Sequence, residues 1–232
     1  MNEQINEVPV IPVITIDGPS GSGKGTVSRL IAHHLGWHFL DSGALYRLVA
    51  LSALKRQLNL SLEVEISNIA RELNVVFEVE SSVGEPQILL EGSVVGRDIR
   101  SEQCGDAASK VAALPAVREA LLARQRDFRR LPGLVADGRD MGSVVFPDAG
   151  LKIFLDASPD ERAQRRYKQL KEKGMNANLG ALLDEIKARD ERDRNRSVAP
   201  LVPAAGAVLV DSTNQSVDEV VAGILDAWSN LT

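Results

Sequence analysis

The run Gly18-Pro19-Ser20-Gly21-Ser22-Gly23-Lys24-Gly25-Thr26 constrains this chain more than anything else in it. Before it stands Val13-Ile14-Thr15-Ile16-Asp17, apolar and β-branched, which reads as a buried strand. After it, Val27, Leu30, Ile31 and Leu35 fall at helical spacing. A strand, a glycine-rich loop and a helix are the frame in which successive backbone N–H groups curl around an anion. The positive end of the helix adds to that field. Lys24 brings a full charge to the place where β- and γ-phosphates would lie. The alternative is a glycine turn with no ligand, and the agreement between loop and context argues against it.

Elements alternate along the rest of the chain. Trp37–Asp41 reads as a short strand, and Ser42-Gly43 opens a helix running through Leu54. A helix is predicted over Leu62–Leu73. Short strands follow at Val75–Glu80, Gln87–Leu90 and Val94–Val95, separated by turn residues as in a small antiparallel meander. Helices are predicted over Ser101–Ala113 and Pro115–Arg130, with Pro115 suited to a first helical turn. Gly133–Gly138 and Leu151–Asp156 are apolar strands ending in or beside a carboxylate. Ser158-Pro159-Asp160-Glu161 has helix-start chemistry. A helix over Asn178–Arg196, a strand over Ala207–Asp211 and a helix capped by Ser216 complete the chain. Apolar strands that each lead into a helix imply an α/β fold, a parallel sheet with helices on both faces. Ligands of such sheets bind beyond the strands' carboxyl ends. Asp17, Asp41, Asp137, Asp156 and Asp211 all fall there.

The 232 residues suffice for one elaborated domain, and a charge of −5 argues against a nucleic-acid footprint. The cations are skewed towards arginine, 19 Arg to 8 Lys, a residue suited to forked contact with phosphate. A small anionic ligand fits that balance better than a polyanion. Cys104 is the only cysteine, so no internal disulfide or thiolate metal site is expected. His33, His34 and His38 are read as surface or helix-end residues. No apolar run has the length of a membrane span, and Met1–Val8 lacks the features of a secretory signal. A cytoplasmic setting and a monomer are the expectations.

Four stretches together resemble the bacterial cytidylate (CMP/dCMP) kinases. They are Ile16–Thr26, the Asp41-Ser42-Gly43-Ala44-Leu45-Tyr46-Arg47 segment, Asp137-Gly138-Arg139-Asp140-Met141-Gly142, and Arg189–Arg196 with Ser197–Leu201. In the loop, Gly25 intervenes between Lys24 and Thr26, a form seen in nucleoside monophosphate kinases. The resemblance runs from about Val13 to the last helix. It implies a P-loop parallel-sheet core over residues 10–60 and 132–232. A lid near 158–175 and an insertion near 61–131 that binds the monophosphate and contains the meander would complete the unit. It also implies ATP as donor, Mg²⁺ as cofactor and CMP or dCMP as acceptor. Gly18, Pro19, Ser20, Gly21, Ser22, Gly23, Lys24, Gly25 and Thr26 would hold the ATP phosphates. Arg47 and Arg139 would grip the acceptor phosphate, with Ser42 placing the nucleotide. Ser109, Arg118 and Asp140 would read cytosine, with Arg196 nearby. Arg189 and Asp193 would contact the ribose. Arg162, Arg165 and Arg166 would lie on the lid. Thr26 and Asp137 would serve the metal.

Each of these has a plainer alternative in the residues themselves. Arg47 could pair with Asp41, and Asp137 could cap a turn. The run Arg189–Arg196 fits either a solvated helix laced with ion pairs or a ligand face, because Arg189, Asp193 and Arg196 share one side. A kinase for UMP, dTMP or another small acceptor, and a nucleotide-binding switch without transfer, are the rival functions. The carried-over chemistry needs little covalent help. A nucleoside monophosphate is largely dianionic near neutral pH. What remains is to align two anions that repel each other.

Overall fold

The strands pair with their carboxyl ends in line, which gathers the strand-end aspartates along one edge. The structure, a computed structural model, describes residues 11–78, 87–172 and 174–231. Five parallel strands form the main sheet. They are β1 (Val13–Asp17), β2 (His38–Asp41), β6 (Leu134–Gly138), β7 (Leu151–Asp156) and β8 (Val208–Asp211). Their order across the sheet is β2-β6-β1-β7-β8. Register sets Asp41 beside Asp137, Asp17 beside Gly138, and Asp156 beside Asp211. The chain leaves β1 at the centre and winds first to one side and then to the other. The glycine-rich loop therefore lies at the crevice where such sheets bind ligands.

Side-chain alternation splits the core between the two faces. Leu134 and Ala136 of β6 pack with Leu45, Leu48, Ile66 and Leu121, under α2 (Ser42–Lys55), α3 (Glu63–Arg71), α4 (Glu102–Val111) and α5 (Pro115–Arg126). Val135 points the other way and joins Ile14, Ile16, Ile31 and Ile224, under α1 (Lys24–Leu35) and α8 (Val217–Ser229). Ser216 caps α8 through a reciprocal capping box with Glu219. A separate three-stranded antiparallel sheet, β3 (Val75–Glu78), β4 (Gln87–Leu90) and β5 (Ser93–Val94), is the expected meander. The part of the first predicted strand over 79–80 lies outside the described residues. α6 (Pro159–Glu172) packs on α7 (Leu179–Asn195) beside the sheet's carboxyl edge.

Element bounds differ from the sequence reading most instructively at three places. β2 starts at His38, not Trp37, because the Trp37 indole turns inward against Gly133 and meets Trp228 edge-on at 5.2 Å. α5 stops at Arg126, short of Arg130. Beyond it Arg129 donates back to the Ile11 carbonyl at 2.9 Å and pairs with Asp148. β5 is Ser93–Val94, a two-residue edge.

Candidate active site

The glycine-rich loop is built around two backbone demands. Gly18 has φ 149, and a Cβ there would come within 2.0 Å of the Leu155 carbonyl oxygen. Gly23 caps α1 in the left-handed region at φ 94, a conformation that glycine takes without strain. Lys24, the first helical residue, folds back and donates to the Pro19 carbonyl at 2.7 Å, closing the loop on itself. Burial pushes this lysine well down, and Arg139 adds to the effect against the attraction of Asp137.

Asp17 and Asp137 meet at the same edge and do different work. Asp17 accepts from the amides of Met141 and Gly142, both at 2.8 Å, and so fixes the π-helical turn Met141–Val145. Burial nevertheless raises its carboxyl to about 6. An asparagine in its place could satisfy only one of those amides and would turn its own N–H₂ towards the other. Asp17→Asn is therefore expected to lower stability by about 1–3 kcal/mol in a denaturant titration. Asp137 instead faces the loop: a Cβ on Gly25 would lie 3.2 Å from its Oδ2. Burial pushes its carboxyl up, against the pull of Lys24. Thr26 is exposed on the first turn of α1, one residue after Gly25. Its hydroxyl and the Asp137 carboxylate are hard oxygen donors of the kind magnesium takes. A cation there would relieve the cost of a buried carboxylate, so Asp137 and Thr26 fit a metal site. Among the described residues no group of three His, Cys, Asp or Glu makes a self-sufficient one.

A second cluster of cations stands opposite. Arg47 does not pair with Asp41, which caps α2 by accepting from the Ala44 amide at 3.0 Å. Instead Arg47 donates to the Ile99 carbonyl at 2.6 Å and lies against Gly105, where a Cβ would come 3.3 Å from the guanidinium. Arg139 donates through Nε to Asp193 at 2.9 Å. Burial works against its charge, but Asp193 outweighs that and holds its pKa above the ordinary value. Arg189 is lowered to about 10, by burial and then by the nearby Arg139. Its Nε is buried without a hydrogen-bond partner among the described residues. Asp193 is thus buried and Arg189 half-buried with its Nε turned inward, so this side of the helix is not a fully solvated face. Ser42 is buried beside Gly138, where a Cβ would come 2.7 Å from its Oγ.

Of the expected cytosine readers, Arg118, Asp140 and Arg196 come together, while Ser109 meets Asp193 instead. Arg118 donates to Asp140 through one Nη and to the Ala112 carbonyl through the other at 3.2 Å, with the Tyr46 ring 5.8 Å beneath it. The second oxygen of Asp140 has Arg196 3.9 Å away. Nη2 of Arg196 has no hydrogen bond among the described residues, while its Nε donates to the Ala199 carbonyl. Burial and the neighbouring Arg118 lower Arg196. Ser109 donates to Asp193 at 3.4 Å. Ser109 and Arg196 line a cavity of about 770 Å³ walled also by Leu60, Leu114 and Arg192, within the size range of ligand pockets.

The three arginines of α6 diverge, and here the sequence reading needs correction. Arg162 was expected over the donor as a lid residue, but it points inward and its side chain is 1% exposed. Its donors serve the carbonyls of Ala157 and Ser20 and the carboxylate of Asp190. Arg165 donates to the carbonyls of Ser212 at 2.6 Å and Ser22 at 3.4 Å, and pairs with Glu161. Only Arg166 reaches across the edge, to Glu102 at the start of α4. Asp17, Tyr46 and Asp190 are the residues of this site whose part the sequence did not reveal. Asp17 carried a signal as a strand-end acid; Asp190, within an unbroken charge run, carried none.

The family model for cytidylate kinase matches residues 14–230. The chain belongs to the cytidylate kinase family. It is 59% identical over 214 residues to a cytidylate kinase of Aeromonas salmonicida, with 92% of each chain covered. It is 60% identical to one from Colwellia psychrerythraea, covering 92% of this chain and 94% of that one. A cytidylate kinase of Sodalis glossinidius is 58% identical over 93% of this chain.

Proposed function

We propose that this chain transfers the γ-phosphoryl group of ATP to CMP or dCMP, giving ADP and CDP or dCDP. The observation that carries the reading is the crowding of cations at the sheet edge. Lys24 and Arg189 are both pushed below their ordinary pKa by burial and by the neighbouring Arg139. A site held in that condition is complementary to dianionic phosphate, which relieves the repulsion on binding.

The chemistry follows from placement. The N–H groups of Gly18–Thr26 and Lys24 hold the donor's phosphates. Arg47 and Arg139 hold the acceptor's phosphate, with Ser42 placing the nucleotide and Arg189 and Asp193 on the ribose. The acceptor oxygen is already ionised and needs no general base, so the protein's task is in-line alignment and screening of charge. Arg139 lies close enough to Lys24 to depress it, which supports neighbouring grips for the donor and acceptor phosphates. Mg²⁺, held through Asp137 and Thr26, supplies further neutralisation of the donor's charge when bound. Ser109, Arg118, Asp140 and Arg196 read the base. Residues near 158–175 act as lid, with Arg166 reaching the open face, and residues near 61–131 carry the acceptor region. The chain works as a cytoplasmic monomer, which sedimentation would test. No helix among the described residues is long and apolar enough to cross a membrane.

Acceptor-dependent ADP formation over a panel of CMP, dCMP, UMP, dTMP and small alcohols tests the reading. Stimulation by CMP and dCMP above the rest is expected. Stimulation by UMP or dTMP alone would reassign the acceptor, and ATP binding with no stimulation by any acceptor would indicate a switch. Arg47→Ala and Arg139→Ala are each expected to reduce kcat/KM for CMP by about a hundredfold or more while ATP affinity stays near normal. Calorimetry that found weakened ATP binding and intact CMP binding would move that arginine to the donor side.

A further inference from the structure

Arg162 and Asp190 form a buried ion pair to which the reaction above gives no part. Their side chains are 1% and 5% exposed. Nε of Arg162 donates to the Ala157 carbonyl at 2.9 Å. Nη1 donates to the Ser20 carbonyl at 2.9 Å and to Asp190 at 3.0 Å, and Nη2 takes the other Asp190 oxygen. Ser20 belongs to the phosphate loop. The loop also runs so close that a Cβ on Gly21 would lie 3.3 Å from the Arg162 Cβ. On α7, Asp190 stands between Arg189 and Asp193, and Asp193 accepts from Arg139. One helical turn therefore carries a carboxylate tied towards the donor loop and another tied to an acceptor-side arginine. Both are buried, and a packed interior passes displacement on instead of absorbing it.

We propose that Arg162 and Asp190 are a positioning pair that couples the two nucleotide sites. Seating an acceptor, its phosphate on Arg139 and its ribose on Arg189 and Asp193, fixes α7. Asp190, acting through Arg162, then holds the Ser20–Gly21 backbone in the shape that takes ATP. Neither side chain touches a substrate. The inference rests on the ATP and CMP reading above. A pair that merely fastened α6 to α7 would affect stability alone.

The test separates those roles with the double variant Arg162→Met/Asp190→Leu. Replacing a buried ion pair by apolar residues of similar bulk is often neutral or stabilising, so its thermal midpoint is expected near that of the parent. The readout is calorimetric affinity for a non-hydrolysable ATP analogue with and without CMP. In the parent, CMP should tighten the analogue about fivefold or more, and the analogue should tighten CMP by the same factor. In the double variant both gains should vanish, and kcat/KM for ATP should fall about tenfold or more. Unchanged coupling in a folded double variant overturns the proposal, as does a parent that forms CDP without any coupling. A parent that forms no CDP overturns the functional reading itself, which is a separate outcome. Arg162→Lys guards against failed folding. A lysine keeps the charge opposite Asp190 but cannot also hold Ser20 and Ala157. It should fold with a lowered midpoint and lose the coupling, and retained coupling in that variant overturns the proposal too.

Discussion

Lys24→Ala is expected to lower kcat by about 10²–10³-fold or more while leaving the fold intact. Lys24 is 5% exposed, so its burial taken alone would point to a loss of stability. The electrostatics argue the other way. Burial and the adjacent Arg139 both push the ammonium down, so the folded chain without nucleotide holds this charge at a cost. Its Nζ makes one hydrogen bond among the described residues, to the Pro19 carbonyl, on a loop whose curvature is already set by Gly18 and Gly23. Alanine also continues α1 well, since Lys24 is its first residue. What the variant loses is the cation centred in the phosphate loop. In the transition state, negative charge spreads over the transferring group, and a fixed cation in a water-poor site is worth far more there than in solvent. The check is a coupled ADP assay at saturating CMP and ATP, beside a thermal melt. Turnover near that of the parent would remove the phosphate loop from the catalytic machinery. Lost turnover with a collapsed melt would instead make Lys24 a structural residue.

How far such a site can be read from sequence depends on whether its contacts are local. The strands of the main sheet announce themselves because each is a short, largely apolar run with an aspartate at or next to its carboxyl end, as in Leu151–Asp156. The phosphate loop is legible because its geometry is imposed by glycines within a few residues. The π-helical turn at Met141–Val145 is not, because its free amides are satisfied by Asp17, 124 residues away in the chain. Arg162, Arg165 and Arg166 look alike in one dimension, as three cations on one polar helix. Their roles diverge only when α7 brings Asp190 against the first, the loop after β8 brings Ser212 to the second, and α4 brings Glu102 to the third. The run 189–196 posed the same difficulty. Helical spacing puts Arg189, Asp193 and Arg196 on one side, but only the packing of α7 decides whether that side meets solvent or the crevice. The structure buries Asp190 and Asp193 and leaves Glu191, Arg192 and Arg194 outside, so one helix serves both readings at once.

Asp140 is expected to set the preference for cytosine over uracil, and Asp140→Asn to blunt it. One carboxylate oxygen is engaged by Arg118, while the other has Arg196 only at 3.9 Å and keeps free acceptor capacity. Cytosine presents a 4-amino donor beside N3 and O2 acceptors, whereas uracil presents a 4-oxo acceptor and an N3–H donor. The free oxygen of Asp140 accepts from the first and meets an acceptor in the second. Nη2 of Arg196, which lacks a partner among the described residues, would supply a donor for N3 or O2, with Arg118 and Ser109 beside it. The N3–H of uracil opposes a donor there. With Asp140 only 3% exposed, each mismatch leaves a polar group without water, at roughly 1–3 kcal/mol. Two mismatches give discrimination on the order of ten- to several-thousandfold in kcat/KM. An asparagine amide can present either a donor or an acceptor, so the rule against uracil lapses. It also leaves the buried Arg118 without its counter-charge, which predicts a loss of activity on CMP together with a relative gain on UMP. The measurement is kcat/KM for CMP and UMP in parent and variant. Equal use of the two by the parent would make this a broader pyrimidine kinase. An unchanged ratio in the variant, with activity merely lowered, would leave Asp140 as the anchor of Arg118 and place base selection on Ser109 and Arg196.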